Sequence, residues 1–142
     1  MNDRGFFDSN IFVYAVDEDA GPKSLIATRM IRDAVDAGNA AASYQVVQEF
    51  LNVAPVKLAT PISEQSARRY LATVFRNLHI VSPSFGLISD AMDIRLRCRI
   101  SWYDSLIVAA ALEAKCSVLY SEDFQHGMRF GDLKVQNPFR VN

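Results

Sequence analysis

The chain has 142 residues, half of them apolar and 22% charged, with a net charge of −1. This composition excludes a disordered chain, and the length suits one domain, residues 1–142, with a core that needs no staples. The absence of a basic excess excludes a protein that coats nucleic acid by charge alone.

Met1 to Arg4 lead directly into a strand-like segment, without the residue order of a signal peptide. Phe6 and Phe7 form a short apolar run that stops at Asp8, the pattern of a buried parallel strand ending in a carboxylate. Ser9 and Asn10 turn the chain into a short helix over 11–16, followed by the acidic loop 17–22. Residues 23–37 carry Ile26, Ala27, Met30, Ile31 and Ala34 at helical spacing, and Gly38 ends that helix. Asn39 to Ser43 is read as a strand against the helical preference of alanine.

A helix over 44–58 has Val46, Val47, Phe50, Leu51 and Ala54 as its core stripe, with Pro55 ending or kinking it. Ser63 starts a further helix to about Leu78, and His79 to Pro83 is a third strand. Residues 84–99 are helical, with Leu87, Ile88, Ala91 and Ile94 inward and Arg95, Arg97 and Arg99 gathered at the end. Ser101 and Asp104 fit a capping box before an almost wholly apolar helix over 105–116. Val118 to Tyr120 is a short buried strand closed by Ser121, Glu122 and Asp123, and Leu133 to Val135 is a final edge strand. Strands alternating with helices call for an α/β fold with a mostly parallel sheet wrapped on both faces.

Cys98 and Cys116 stand in helical segments without a second pair, as reduced thiols of a cytoplasmic protein do. With the distant His79 and His126 they lack zinc-ligand spacing. No apolar run reaches the roughly 18–20 residues of a membrane span.

Parallel strands place Asp8 and Asp123 at one edge of the sheet, where ligands of open α/β sheets sit. Asp104 begins a helix, and Glu49 lies early in another, both entered from that edge. Each acid has a plain structural explanation: Asp8 and Asp104 as caps, Glu49 as a stripe-edge side chain reaching water. Four acids at the same edge are poorly explained by four unrelated caps. Converging carboxylates repel, and burial raises their pKa, so a divalent cation is the natural counter-charge. Oxygen ligands without paired His or Cys select Mg²⁺ or Mn²⁺. Two such ions about 3.5–4 Å apart, or one ion with a carboxylate base, suit phosphodiester displacement.

The segments Phe7 to Asn10, Gln48 to Phe50, Trp102 to Ile107 and Leu119 to Asp123 resemble the successive acidic motifs of the PIN-domain family. The likeness is strongest to ribonuclease toxins of the VapC type and extends through the final Asn137, Pro138 and Phe139. It implies a three-layer α/β/α fold, a homodimer and Mg²⁺-dependent cleavage of single-stranded or looped RNA. It also implies an antitoxin partner that covers the site. Asp8, Glu49, Asp104 and Asp123 would be the catalytic, metal-binding acids, with Asn10 and Ser121 supporting them; whether Glu122 adds a ligand stays open. Arg68, Arg69, Arg95, Arg97 and Arg99 are candidates for an RNA-binding rim. Trp102 is a candidate base-stacking residue, although packing beside its helix explains it better. Two other readings stand beside this one. One is a non-catalytic module that binds RNA or protein. The other is a phosphotransferase with Asp8 as nucleophile, which would want an acid where Asn10 stands.

Overall fold

A computed structural model describes residues 3–140. Met1 and Asn2, part of the segment read above as no signal peptide, and the last two residues lie outside it. The chain opens with strand β1 (Gly5–Phe7), helix α1 (Ser9–Val16) and helix α2 (Pro22–Ala37). Strand β2 (Ala40–Ser43), helix α3 (Tyr44–Val53) and helix α4 (Glu64–Thr73) follow. Strand β3 (His79–Val81) then leads to helices α5 (Phe85–Cys98) and α6 (Trp102–Glu113). Strands β4 (Val118–Tyr120), β5 (Arg129–Phe130) and β6 (Leu133–Gln136) complete the order.

The six strands form one sheet in the order β3-β2-β1-β4-β6-β5, parallel except for β5. The chain steps from β1 outward to β2 and β3, then returns across β2 and β1 to β4. Because such crossovers are right-handed, the reversal puts α1 to α4 on one face and α5 and α6 on the other. The packing agrees: α1 touches α2 and α3, while α5 lies against α6. Strand order reverses between β1 and β4, the topological switch point at which an open sheet leaves a crevice beyond its strand ends.

The three alanines of β2 are fully enclosed, pressed by α2, α3 and α6. Small side chains let helices approach the strand from both faces, which overrides the weak strand preference of alanine. Gly5 is constrained from the neighbouring strand, since a Cβ there would stand 2.7 Å from the Tyr120 ring. Beneath α3 and α4 an aromatic group fills the core: Phe12 and Phe75 rings are 4.8 Å apart, and Tyr70 stacks on Phe50 at 4.8 Å.

Several boundaries differ from the sequence reading. Helix α3 stops at Val53 rather than Leu58, because Pro55 offers no N–H to continue it and the Ala54 carbonyl is taken by the Ile62 N–H. Helix α4 stops at Thr73, and the chain tightens into a single 3₁₀ turn over Phe75–Asn77 before β3. Helix α6 begins three residues earlier than expected, at Trp102, with Ser101 Oγ accepting from the Asp104 N–H at 3.1 Å. Strand β6 is not the edge: it pairs with β4 on one side and with the two-residue β5 on the other. Strand β5 is too short for periodicity to reveal, though Gly131 and Asp132 between two apolar residues are a hairpin signal. Ile26, Leu51 and Ile88, placed on core stripes above, are exposed.

Candidate active site

Register places the first two members of the site side by side. Phe7 pairs with Tyr120 across β1 and β4, so Asp8 and Ser121 are the next residues out on adjacent strands. The Asp8 N–H donates to the Tyr120 carbonyl at 3.0 Å, extending the ladder one step past β1. Asp8 caps α1 by accepting from the Ser9 N–H at 2.8 Å, and its other oxygen accepts from Ser121 Oγ at 2.7 Å. Capping occupies one oxygen of this carboxylate, and the bond from Ser121 occupies the other.

Ser121 Oγ also accepts from the Asp123 N–H at 3.1 Å. Asn10 Nδ2 reaches Ser121 Oγ at 3.4 Å and Asp123 Oδ2 at 3.2 Å, while Asn10 Oδ1 accepts from the Glu122 N–H at 3.3 Å. Asp8, Asn10, Ser121 and Asp123 are thus one hydrogen-bonded group across the switch point. Asp8 and Ser121 are buried, whereas Asp123 is exposed.

Burial pushes the Asp8 carboxyl up to about 6. The bonds from Ser121 and Ser9 pull it down, and the charges of Asp123 and Glu49 push it further up. Glu49 is therefore within electrostatic reach of Asp8. Gln45 joins it to the start of α6: Gln45 Nε2 donates to Glu49 Oε2 at 3.4 Å and to the Tyr103 carbonyl at 3.3 Å. Asp104, half-buried in the first turn of α6, follows Tyr103 directly. Because α6 precedes the parallel strand β4, its first turn stands at the edge where Asp8 and Asp123 stand.

The four acids gather at one edge without closing into a cage: among the described residues no group of three or more His, Cys, Asp or Glu is disposed to hold a metal ion by itself. Mg²⁺ keeps several waters and takes few carboxylates, so an open, all-oxygen set fits that ion better than zinc. The buried carboxyl of Asp8, uncomfortable as an anion, adds to the fit.

Glu122 does not join the acids. Its oxygens take Lys23 Nζ at 2.6 Å and the Tyr14 hydroxyl. Burial opposes its ionisation, but the two donors outweigh that and hold its carboxyl below the usual range. Lys23 and Tyr14 have no motif pointing to them, since Lys23 lies 99 positions from Glu122. Among the described residues none of the five rim arginines bonds to the four acids. Arg68 pairs with Glu64 at 3.6 Å in the open, and Arg95 lies 4.9 Å from the Trp102 ring centre. Trp102 itself packs against the core. His126 Nδ1 accepts from the Asn137 N–H at 3.1 Å. Cys98 and Cys116 are free, and burial pushes the Cys116 thiol up to about 12.

The family model of the PIN domain matches residues 5–127. The fold is that of this class, and the chain belongs to the PIN-domain family. Among solved structures it is similar to a toxin–antitoxin complex from Klebsiella pneumoniae, at 16% identity and a TM-score of 0.68, covering 96% of this chain and 99% of that one. VapC20 of Mycobacterium tuberculosis, a sarcin-ricin loop cleaving toxin, aligns at 16% identity and a TM-score of 0.61, over 84% and 89% of the two chains. VapBC2 of Rickettsia felis, bound to a DNA fragment from its promoter, aligns at 19% identity and a TM-score of 0.66, over 94% and 97%. A comparison with curated proteins yields no match. No helix among the described residues is long and apolar enough to cross a membrane.

Proposed function

We propose that this protein is a Mg²⁺-dependent endoribonuclease, with Mn²⁺ as an alternative ion, acting as the toxin of a toxin–antitoxin pair in the cytoplasm. The observation that carries the reading is the hydrogen-bonded group of Asp8, Asn10, Ser121 and Asp123 at the switch point, with Glu49 and Asp104 at the same edge. Asp8, Glu49, Asp104 and Asp123 would hold the ion through carboxylate oxygen. When bound, such an ion supplies charge neutralisation at the phosphodiester and acidifies water.

The chain's own part is orientation and proton handling. Ser121 keeps one Asp8 oxygen aimed, and Asn10 does the same for Asp123. A carboxylate oxygen that the ion leaves free would accept the proton of the attacking water. Two features support the partners, and the net charge is compatible with them. A similar fold occurs in a toxin–antitoxin complex, and another in a sarcin-ricin loop cleaving toxin. The outer face of α5 exposes Phe85, Ile88, Met92 and Leu96, which suits a homodimer. The net charge of −1 leaves RNA binding to a local rim.

The open spacing of the acids favours a second reading, a non-catalytic module that binds RNA or protein. Cleavage of a single-stranded RNA with and without Mg²⁺ separates the two. Asp8→Asn and Asp104→Asn are each expected to lower the Mg²⁺-dependent rate by at least about a hundredfold. Cleavage that persists undiminished in both variants removes the catalytic assignment.

A further inference from the structure

Four side chains outside the acid group meet beside it. Lys23 Nζ, in the first turn of α2, lies 2.6 Å from Glu122 Oε2 and 3.4 Å from the Tyr14 hydroxyl. The Tyr14 hydroxyl donates to Glu122 Oε1, so each oxygen of the carboxylate has its own donor. The Phe139 ring meets the Tyr14 ring edge-on at 5.0 Å, and Lys23 Nζ stands 4.8 Å from the centre of the Tyr14 ring and 5.7 Å from that of Phe139. Phe139 is itself fixed, its N–H donating to Asn137 Oδ1 at 2.9 Å.

The place of this group matters more than its strength. An ion pair that water still reaches adds little to stability, too little to explain four converging side chains. Glu122 stands between Ser121 and Asp123, in the turn that follows a three-residue strand. Its N–H is held by Asn10 Oδ1, and Nδ2 of that asparagine holds Asp123. Asn10 and Tyr14 are one turn apart on α1, so a single helix face grips the turn at two heights. Every residue of the turn is therefore tied: Ser121 to Asp8, Glu122 to Tyr14 and Lys23, Asp123 to Asn10. Asp123 is the exposed member and has the most freedom to lose.

We propose that Tyr14 and Lys23, by gripping both oxygens of Glu122, hold the Ser121 to Asp123 turn so that the Asp123 carboxylate keeps its bearing toward the cation. They are positioning residues, and the inference rests on the metal-dependent reading given above. Partners that orient ligands from outside the coordination sphere commonly change metal affinity or activity by about 10–100-fold when removed.

The test is calorimetric titration of the full chain with Mn²⁺, alongside RNA cleavage kinetics and melts in chelator. The variants are Lys23→Met, Lys23→Arg, Glu122→Ala and the double variant Lys23→Met/Glu122→Ala. Lys23→Met and Glu122→Ala should each weaken Mn²⁺ binding about tenfold and lower kcat with the KM for RNA unchanged. The double variant should be no worse than the weaker single, because both remove one device. Lys23→Arg should stay near wild type, and it keeps the test open with Lys23→Met if Glu122→Ala does not fold. Wild-type Mn²⁺ affinity in both single variants overturns the clamp, as does a lower melting temperature alone. A raised KM with shallower salt dependence and unchanged Mn²⁺ affinity overturns it too, since Lys23 would then be contacting RNA phosphate. A wild-type protein that takes up no Mn²⁺ removes the metal reading beneath the clamp, a failure distinct from the others.

Discussion

Asp8 is the residue on which stability and function pull apart. Its folded pKa of about 6 lies above the ordinary value of 3.8, with burial the largest cause. The folded chain therefore binds a proton there more readily than the unfolded chain. The stabilising contribution is complete below about pH 4 and is lost as pH rises through about 6. At neutral pH without a cation, the ionised Asp8 costs the fold on the order of 1–3 kcal/mol. Asn is as good a cap as Asp, so Asp8→Asn keeps the bond from the Ser9 N–H. In chelator at pH 7.5 this variant is expected to melt above wild type, with the gap closing toward pH 4.5. Melting below wild type at both pH values would mean that the anion is welcome in its pocket, and the argument for a counter-charge would fail.

At the scale of elements, the acidic edge depends on how α3 and α4 sit on the sheet. Phe75, in the 3₁₀ turn between α4 and β3, is buried against Phe12, Phe50 and Tyr70, the Phe50 and Phe75 rings being 5.3 Å apart. Phe50 follows Glu49 directly, so the contact that seats α3 also sets the height of that acid. Phe75→Ala is expected to lower the unfolding free energy by about 3–5 kcal/mol, read as a lower urea midpoint with unchanged slope. A loss below about 1 kcal/mol would mean that the aromatic group does not anchor α4. The same scale explains the chain's least expected strand: three alanines serve β2 because helices close on it from both sides.

For the whole molecule, α5 has two apolar faces where one is needed. Leu87, Ala91 and Ile94 point into the core, while Phe85 (92% exposed) and Leu96 (82%) stand on the opposite side with Ile88 and Met92. Monomers seldom leave such a stripe open. The proposed homodimer would bury it. Phe85→Lys with Leu96→Lys is expected to shift the sedimenting species to the monomer while leaving the melting curve of the monomer intact. Sedimentation identical to wild type, whether both are monomers or both dimers, would count against this face as the interface.

The order of strands and helices was legible in the chain because short apolar runs, helical stripes and caps are local signals. Asp8, Asp104 and Asp123 were legible for the same reason: each closes a strand or opens a helix, and parallel connections send such positions to one edge. Asn10 and Ser121 came only with the family resemblance, and the structure gives them bonds to the acids. Other features depend on contacts that no window of sequence contains. Strand β6 became interior because a two-residue strand folded back on it, and Glu122 was drawn away from the acids by a lysine 99 positions earlier. The sequence by itself determined the parallel α/β alternation and the acids at its strand ends, since those follow from neighbours along the chain. Only the tertiary structure decided which donors hold the two oxygens of Asp8, and that Lys23 pairs with Glu122, because those are questions of distance between segments far apart in sequence.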